Sequence, residues 1–190
     1  IAALMHSAIG LSFPESKKPL ISSRLAPRIQ RLGLDDFDAY LELIAGEQGG
    51  GEFQMAVDLL TTNETYFFRE PKHFEFLTNQ IIAKLGRGRG LRVWSAACSS
   101  GEEPYTLAAV LSETLGEGMW EIVASDISSR VLAKARSGVY PAERAKDVPK
   151  ECLRKYFLRG TGPYAEHVMV AKALRQRVRF LQVNLHAALP

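Results

Sequence analysis

Several features that would place a protein in a membrane or outside the cell are missing from this 190-residue sequence. It has no run of 18 or more apolar residues, so it predicts no membrane-spanning helix. The stretch 1–11 contains His6 and lacks a basic start, which does not match a secretion signal. Cys98 and Cys152 are its only cysteines and show no pairing pattern, which indicates a reducing compartment. We therefore predict a cytoplasmic protein without direct membrane insertion.

Dense basic runs and glycine fingerprints are also missing. The sequence has 24 basic and 21 acidic residues and a net charge of +3, without a Lys/Arg cluster that would indicate nucleic-acid binding. No G-x-G-x-x-G motif occurs, so the close backbone approach that a dinucleotide pyrophosphate needs is not predicted. We expect a partner that is neither nucleic acid nor lipid, and no metal.

The first seventy residues show helical periodicity. Three apolar stripes predict three helices of a small bundle, with Asp35 or Asp36 capping the second and Gly46 with 49–51 ending it. The stripes comprise Ile21, Leu25, Ile29 and Leu32, then Phe37, Tyr40, Leu41 and Ile44, then Phe53, Val57 and Leu60. On another face of the first helix lie Arg24, Arg28 and Arg31. These arginines form either a solvated surface or a docking face for an acidic helix.

The stretch 61–69, TTNETYFFR, combines a capping-box pattern with three adjacent aromatic residues. The capping box by itself predicts only a helix start. Three consecutive rings cannot all face one core, so at least one is expected to wall a ligand pocket. Arg69 offers a planar fork suited to a carboxylate, and Asn63 and Thr65 offer directed hydrogen bonds.

The stretch 91–105, LRVWSAACSSGEEPY, reads as a strand, a tight turn and a helix start, the last continuing to about Leu115. Small residues in the turn, Ala97 among them, let the backbone approach a ligand. The acids Glu102 and Glu103 place negative charge beside it. Cys98 is expected to be a small buried turn residue rather than a nucleophile.

Asp126 follows a second short strand, 25 residues after Gly101. This spacing is close to that of the acid which contacts ribose hydroxyls in nucleotide folds, although an acid opening the next helix is the alternative. A ligand without phosphates fits the glycine-poor turn better. S-adenosylmethionine, with its adenosine, methionine end and sulfonium cation, is such a ligand.

The remaining segments set the domain plan. A helix is predicted over 71–85, with His73 on its surface and without a chemical role, and GRGRG at 86–90 links the two halves. Between 137 and 179 glycines and prolines break the chain into short pieces, with strand-like runs at 167–171 and 178–183. The start at Ile1 rather than methionine indicates part of a longer protein. The end just beyond a third sheet strand predicts that the chain is truncated at its C-terminus.

TTNETYFFRE, WSAACSSGEEPYTLA, ASDIS with ARSGVY, YFLRGTGPY and VNL resemble, in order and spacing, the chemotaxis-receptor glutamate methyltransferases of the CheR type. The resemblance implies an α/β protein: an N-terminal helical bundle (1–72) and a Rossmann-like, S-adenosylmethionine-dependent methyltransferase domain (73–190). A small antiparallel β-subdomain at about 137–178 is inserted in the latter. The implied reaction is methyl transfer to receptor glutamates, which leaves S-adenosylhomocysteine.

The resemblance also implies site residues. Arg69 is expected near the transferred methyl group as the catalytic residue. From the charge pattern rather than the resemblance, we expect Arg24, Arg28 and Arg31 to bind cytoplasmic receptor helices. The expected cofactor contacts are Asn63, Thr65, Arg69, Glu103, Asp126, Asn184 and Leu185, to which we add Ala97 and Glu102 from the turn. The β-subdomain is expected to bind a receptor's C-terminal peptide in some members. Those members tend to carry a further glycine where this chain has Ala165 and Glu166.

Two other classes of protein are compatible with these sequence features. A nicotinamide-dependent oxidoreductase shares the strand, turn and acid, but the missing glycine fingerprint and the aromatic-arginine motif disfavour it. A non-catalytic module that binds S-adenosylmethionine or a receptor helix would keep the same pocket.

Overall fold

The computed structural model describes residues 1–46, 50–85 and 89–189, and its contacts divide the chain into two units. The helical unit comprises residues 1–62 and 127–129 and the segment from Val183 onward. The sheet unit comprises residues 63–126 and 130–182. We expected a boundary after residue 72, whereas the contacts group residues 63–72 with the sheet unit and the last residues with the helical unit.

The helical unit contains the predicted bundle. Its helices are α1 (Ala2–Ile9), α2 (Lys18–Leu32), α3 (Phe37–Ala45) and α4 (Gly50–Leu60). The predicted stripes supply most of its core, which contains Ile21, Leu25, Ile29, Tyr40, Ile44, Val57 and Leu60. The Asp36 side chain caps α3 by accepting from two backbone N–H groups. Gly50 and Gly51 open α4 instead of lying in a loop, while Gly49 lies outside the described residues.

The segment after the aromatic motif is helical but irregular. The single helix expected over 71–85 is instead α5 (Pro71–Phe76), a π-helical turn (Leu77–Ile81) and a 3₁₀ turn (Ile82–Lys84). The wider turn shifts the helical phase, so that Ile82 is buried and the predicted Ile81 is exposed. The linker residues 86–88 lie outside the described part of the chain.

A parallel sheet carries the sheet unit. Its strands β1 (Leu91–Ala96), β2 (Trp120–Asp126) and β6 (Val178–Gln182) have the order β1-β2-β6 and all run parallel. Helix α6 (Glu102–Leu115) connects the first two, and α7 (Ser129–Ser137) follows the second. Since Ala96 is paired with Ser125, the turn after β1 and the end of β2 meet at the same edge of the sheet.

A separate antiparallel sheet lies between α7 and β6 in sequence, which confirms the expected insertion. Its strands β3 (Val139–Pro141), β4 (Phe157–Arg159) and β5 (His167–Val170) have the order β3-β5-β4. Helix α8 (Lys150–Tyr156) precedes β4, and α9 (Lys172–Arg175) follows β5. The α/β fold class, with its helical N-terminal part, is therefore confirmed. In the described ranges no helix is both long and apolar enough to cross a membrane.

Candidate functional site

The two sequence motifs meet at a pocket of about 250 Å³ inside the sheet unit. One wall is the segment 64–74, and the other is the turn after β1 with the start of α6. The lining residues are Glu64, Thr65, Tyr66, Arg69, Glu70, His73, Phe74, Ala97, Cys98 and Glu103. Four predicted site residues, Thr65, Arg69, Ala97 and Glu103, are thus brought together.

The aromatic side chains of residues 66–68 do not all face the same surroundings, because three consecutive side chains point in different directions. Residues 61–66 form no helix, so the capping-box alternative is wrong. Phe67 is fully buried and packs edge-on against Tyr140 and Phe157, with ring centroids 5.0 and 5.2 Å apart. Tyr66 is 41% exposed and lines the pocket. Phe67 therefore anchors the segment while its neighbour faces the cavity.

The backbone on both sides of Arg69 has an unusual conformation and is hydrogen-bonded to α6. Phe68 and Glu70 on either side of it have left-handed backbones, with φ of 59° and 56°. Such conformations cost free energy in residues with a Cβ and persist only where the surroundings hold them. The Phe68 N–H donates to the hydroxyl of Thr106 on α6 at 3.1 Å. The segment is thus attached to α6 right beside Arg69.

The Arg69 guanidinium is exposed at the pocket and donates to the Glu64 carbonyl at 3.0 Å. It also lies 5.9 Å from the centroid of the Tyr66 ring. In the described part of the chain Arg69 forms no salt bridge. Its charge is therefore not neutralised by a paired carboxylate, and the guanidinium can orient a carboxylate supplied by a ligand.

The turn after β1 is shaped by left-handed residues. Ala97, Ser99 and Gly101 have φ of 57°, 50° and 95°. This conformation lets the Ser99 N–H donate to the carboxylate of Asp126 at 2.8 Å, which ties the turn to the end of β2. A Cβ on Gly101 would lie 2.8 Å from that of Ala135, so close packing against α7 requires this glycine. Packing against α7, and not only the approach of a ligand, therefore accounts for the small residue at this position.

The two adjacent acids at the start of α6 face different surroundings. Glu103 lines the pocket and accepts a hydrogen bond from the Ser95 hydroxyl at 2.6 Å. Glu102 is fully buried, pairs with Arg144 and accepts from the Ser100 hydroxyl at 2.7 Å. Of the two charges expected beside the ligand, only that of Glu103 lines the pocket.

Cys98 is buried in the turn, as expected of a structural residue. Burial, and secondarily the nearby Asp126 carboxylate, raises the pKa of its thiol to about 12. The thiol therefore stays protonated at neutral pH and is a poor nucleophile.

Four lining residues, Glu64, Glu70, His73 and Phe74, were not predicted from the sequence to line the site. Helix α5 begins directly after Glu70 and places His73 in the pocket wall. Only their closeness in sequence to Arg69 could have indicated them.

The donor set fits S-adenosylmethionine. Arg69 offers a cation to the carboxylate of the methionine end, and the Glu103 carboxylate suits cationic or hydroxyl groups. Asp126 does not line the pocket, but its carboxylate accepts from Ser99 of the same turn. The hydroxyl of Ser99, in the same turn, is buried and finds no hydrogen-bond partner among the residues that the structure describes. A buried polar atom without a partner is costly, so a ligand that bonds to it would remove that cost.

Three other predicted cofactor contacts are not among the residues that line this pocket. Asn63 is half-buried at the start of the sheet unit. Asn184 and Leu185 belong to the helical unit, where the Asn184 side-chain amide donates to the Ala8 carbonyl at 2.8 Å. Leu185 is 50% exposed.

The predicted arginine face is largely engaged within the helical unit. Arg24 donates to the Leu60 and Thr61 carbonyls at 2.9 and 3.2 Å and so satisfies the end of α4. Arg28 forms a two-bond ion pair with Glu52, which also accepts from the Tyr40 hydroxyl at 2.9 Å. Arg31 is exposed on α2.

The hydrogen-bonded cluster of Arg28, Tyr40 and Glu52 makes the stability of the helical unit depend on pH. The hydrogen bond from Arg28 lowers the pKa of Glu52 below its ordinary value of 4.5. A lowered carboxyl pKa contributes stability above the unfolded-state value and loses it as pH falls through the folded-state value. We therefore expect Glu52→Gln to destabilise the protein above about pH 5. This difference from wild type should shrink at pH values below 4.5.

Urea unfolding followed by circular dichroism at several pH values measures this difference. Glu42→Gln, at an exposed position on α3, is the control. A Glu52→Gln effect that is equal at all pH values would contradict the assignment.

A larger groove of about 730 Å³ lies elsewhere in the sheet unit, beside α6 and α8. It is lined by Phe68, Thr78, Ala109, Val110, Glu113, Thr114, Pro149, Glu151, Cys152, Arg154 and Lys155. None of the predicted site residues lines it. The convergence of the two motifs, rather than cavity size, therefore identifies the candidate site.

Comparison with known proteins gives consistent matches along the chain. A chemotaxis protein methyltransferase of Escherichia coli is 43% identical over 98% of this chain, and one of Salmonella typhimurium is 42% identical over 97%. Chemotaxis protein methyltransferase 2 of Pseudomonas aeruginosa is 46% identical over 95%. The chain spans 64–65% of the length of these three relatives.

Two family models divide the chain between them. The CheR methyltransferase all-alpha domain matches residues 1–61, and the CheR methyltransferase SAM binding domain matches residues 63–190. The division between the models, at residues 61 to 63, coincides with the first point at which the chain passes from the helical unit to the sheet unit. The motif-based resemblance is thereby confirmed, and the chain belongs to the CheR methyltransferase family.

Proposed function

We propose that the protein transfers a methyl group from S-adenosylmethionine to glutamate side chains of chemoreceptors. The observation that supports this proposal best is that segments 64–69 and 97–103 both line one pocket. The pocket combines a carboxylate, an aromatic wall and a guanidinium that has no salt-bridge partner in the described part of the chain. The chain belongs to the CheR methyltransferase family.

S-adenosylmethionine, when bound, supplies a methyl group made electrophilic by its sulfonium. We assign cofactor binding to Thr65, Arg69, Ala97, Glu103 and Asp126. We also include Asn63, Asn184 and Leu185. For these three residues the assignment rests on the family resemblance alone. Glu102 is omitted because its buried side chain is committed to Arg144 and Ser100.

The acceptor needs positioning more than activation. A glutamate carboxylate is largely ionised at neutral pH, so a general base is not required. Arg69 would orient the acceptor carboxylate through the planar fork of its guanidinium. Orientation of two bound reactants is a large part of the barrier reduction available to a displacement reaction. Tyr66 and Phe74 would help to exclude water from that site.

We further propose that the substrates are the cytoplasmic helices of chemoreceptors and that the protein acts in the cytoplasm. Arg31 is the exposed member of the arginine face, and Arg24 and Arg28 present their remaining surface beside it. In the antiparallel sheet the strands β3 and β4 lie at the edges, where a receptor's C-terminal peptide could add as a further strand.

Calorimetric titration with S-adenosylmethionine, S-adenosylhomocysteine and NAD tests the ligand class. We expect the first two to bind and NAD not to bind, and NAD binding alone would favour an oxidoreductase. Transfer of a tritiated methyl group to receptor cytoplasmic fragments, and to the same fragments with glutamate changed to alanine, tests the reaction. Cofactor binding without any transfer would favour a non-catalytic module.

A further inference from the structure

Arg144 joins the two walls of the candidate site from outside the pocket. It lies in the 3₁₀ turn Ala142–Ala145 that follows β3 of the antiparallel sheet. One nitrogen, Nη2, donates to the Thr65 carbonyl at 2.6 Å and also to the Glu102 carboxylate. A single guanidinium therefore bridges the aromatic-arginine segment to the first residue of α6.

The partners of Arg144 make this bridge difficult to replace. Glu102 is fully buried, and the Arg144 side chain is 42% exposed. A buried carboxylate that loses its cation is left with an uncompensated charge, which is strongly unfavourable. The Thr65 carbonyl, in a residue only 8% exposed, would likewise lose its donor.

The same strand contributes a second connection. The hydroxyl of Tyr140 on β3 donates to the Ser100 carbonyl at 2.7 Å, and its ring packs edge-on against Phe67. Thr106 links α6 to the segment that carries Arg69. Its hydroxyl donates to the Glu102 carbonyl at 2.8 Å and accepts from the Phe68 N–H. The conformation around Arg69 is thus held from both α6 and the antiparallel sheet.

We propose that Arg144 is a positioning residue for methyl transfer, which holds the 65–69 segment so that Arg69 faces the pocket. Arg144 acts through the Thr65 carbonyl and Glu102, and it makes the antiparallel sheet part of the catalytic framework. This inference rests on the proposed function only for its kinetic consequence. Its structural consequence, a loosened 65–69 segment, is measurable without any activity.

Hydrogen–deuterium exchange on the protein tests the structural consequence. Arg144→Gln is expected to speed amide exchange in residues 63–70 by about tenfold or more, and Arg144→Lys by less. Arg154→Gln removes an exposed arginine whose partner, Glu151, is also exposed, and should leave this segment unchanged. Val168→Ala weakens the antiparallel sheet without removing an Arg144 bond and is the control for general softening.

Two exchange results would overturn the proposal. The first is unchanged exchange in residues 63–70 of Arg144→Gln. The second is an equal increase in Val168→Ala, which would mean that any loss of sheet stability loosens the segment.

Methyl-transfer kinetics test the second consequence. Arg144→Gln is expected to lower kcat about 10- to 100-fold, with partial rescue by Arg144→Lys. The Arg69→Ala/Arg144→Gln double variant should be no slower than Arg69→Ala alone, because Arg144 acts through Arg69. Fully additive losses would contradict that route. Wild-type protein without methyl transfer would instead refute the proposed function, while the exchange result would still decide the role of Arg144.

Discussion

Arg69→Ala is expected to lower methyl transfer to receptor fragments about 100-fold or more, with a much smaller increase in the Kd of S-adenosylhomocysteine. The reason is that the Arg69 guanidinium, which forms no salt bridge among the described residues, lines the pocket, where it would orient the acceptor carboxylate. A lost orientation lowers kcat more than it weakens binding of the product. Tritium incorporation gives the rate, and calorimetry gives the Kd.

Two further variants sharpen this result. Arg69→Lys keeps the charge but loses the planar fork, so we expect it to restore little of the rate. Arg92→Ala removes an exposed arginine of β1 that pairs with Glu121, and it should leave transfer near normal. Unaltered turnover in Arg69→Ala would remove Arg69 from the catalytic role that we propose for it.

Phe67→Ala should destabilise the sheet unit by about 3–5 kcal/mol, the usual range for a buried phenylalanine truncated to alanine. Phe67 is fully buried between Tyr140 and Phe157, so removal of its ring opens a cavity in the core. Both tryptophans of the chain, Trp94 and Trp120, lie in the strands of this unit. Urea unfolding followed by tryptophan fluorescence therefore reports the change directly.

The neighbouring aromatic residue is the matched control. Tyr66→Ala should cost less than about 1 kcal/mol, because an exposed side chain gains little from burial. It should instead weaken cofactor binding, since Tyr66 lines the pocket. Equal destabilisation by the two substitutions would contradict the division of the aromatic triplet between core and pocket.

Periodicity predicted the regular elements well, because each of these helices and strands buries one face. The stripe Ile21, Leu25 and Ile29 is buried in α2 as its spacing of four predicts. The same reasoning failed at 71–85, where a π-helical turn shifts the phase from Ile81 to Ile82. Periodicity assumes a constant number of residues per turn, and a wider turn is visible only in coordinates.

The motifs of the site are recognisable in the sequence, but the hydrogen-bond and ion-pair partners of their side chains are not. Glu102 and Glu103 are adjacent acids at the start of one helix, and the sequence does not distinguish them. In the structure one is buried against Arg144, 42 residues away, and the other lines the pocket. The sequence likewise suggests that Gly101 lets a ligand approach the backbone. In the structure, a Cβ at this position would first meet Ala135 of α7.

The sequence by itself determined the family, the order of helices and strands, and the motifs that carry the chemistry, because these depend on local spacing and residue type. Only the tertiary structure decided which charges remain available at the pocket. Arg24, Arg28 and Glu102 are committed to partners within their own units, while Arg69 has no salt-bridge partner in the described part of the chain. Pairing of charges depends on distances between residues far apart in the chain, which folding alone sets.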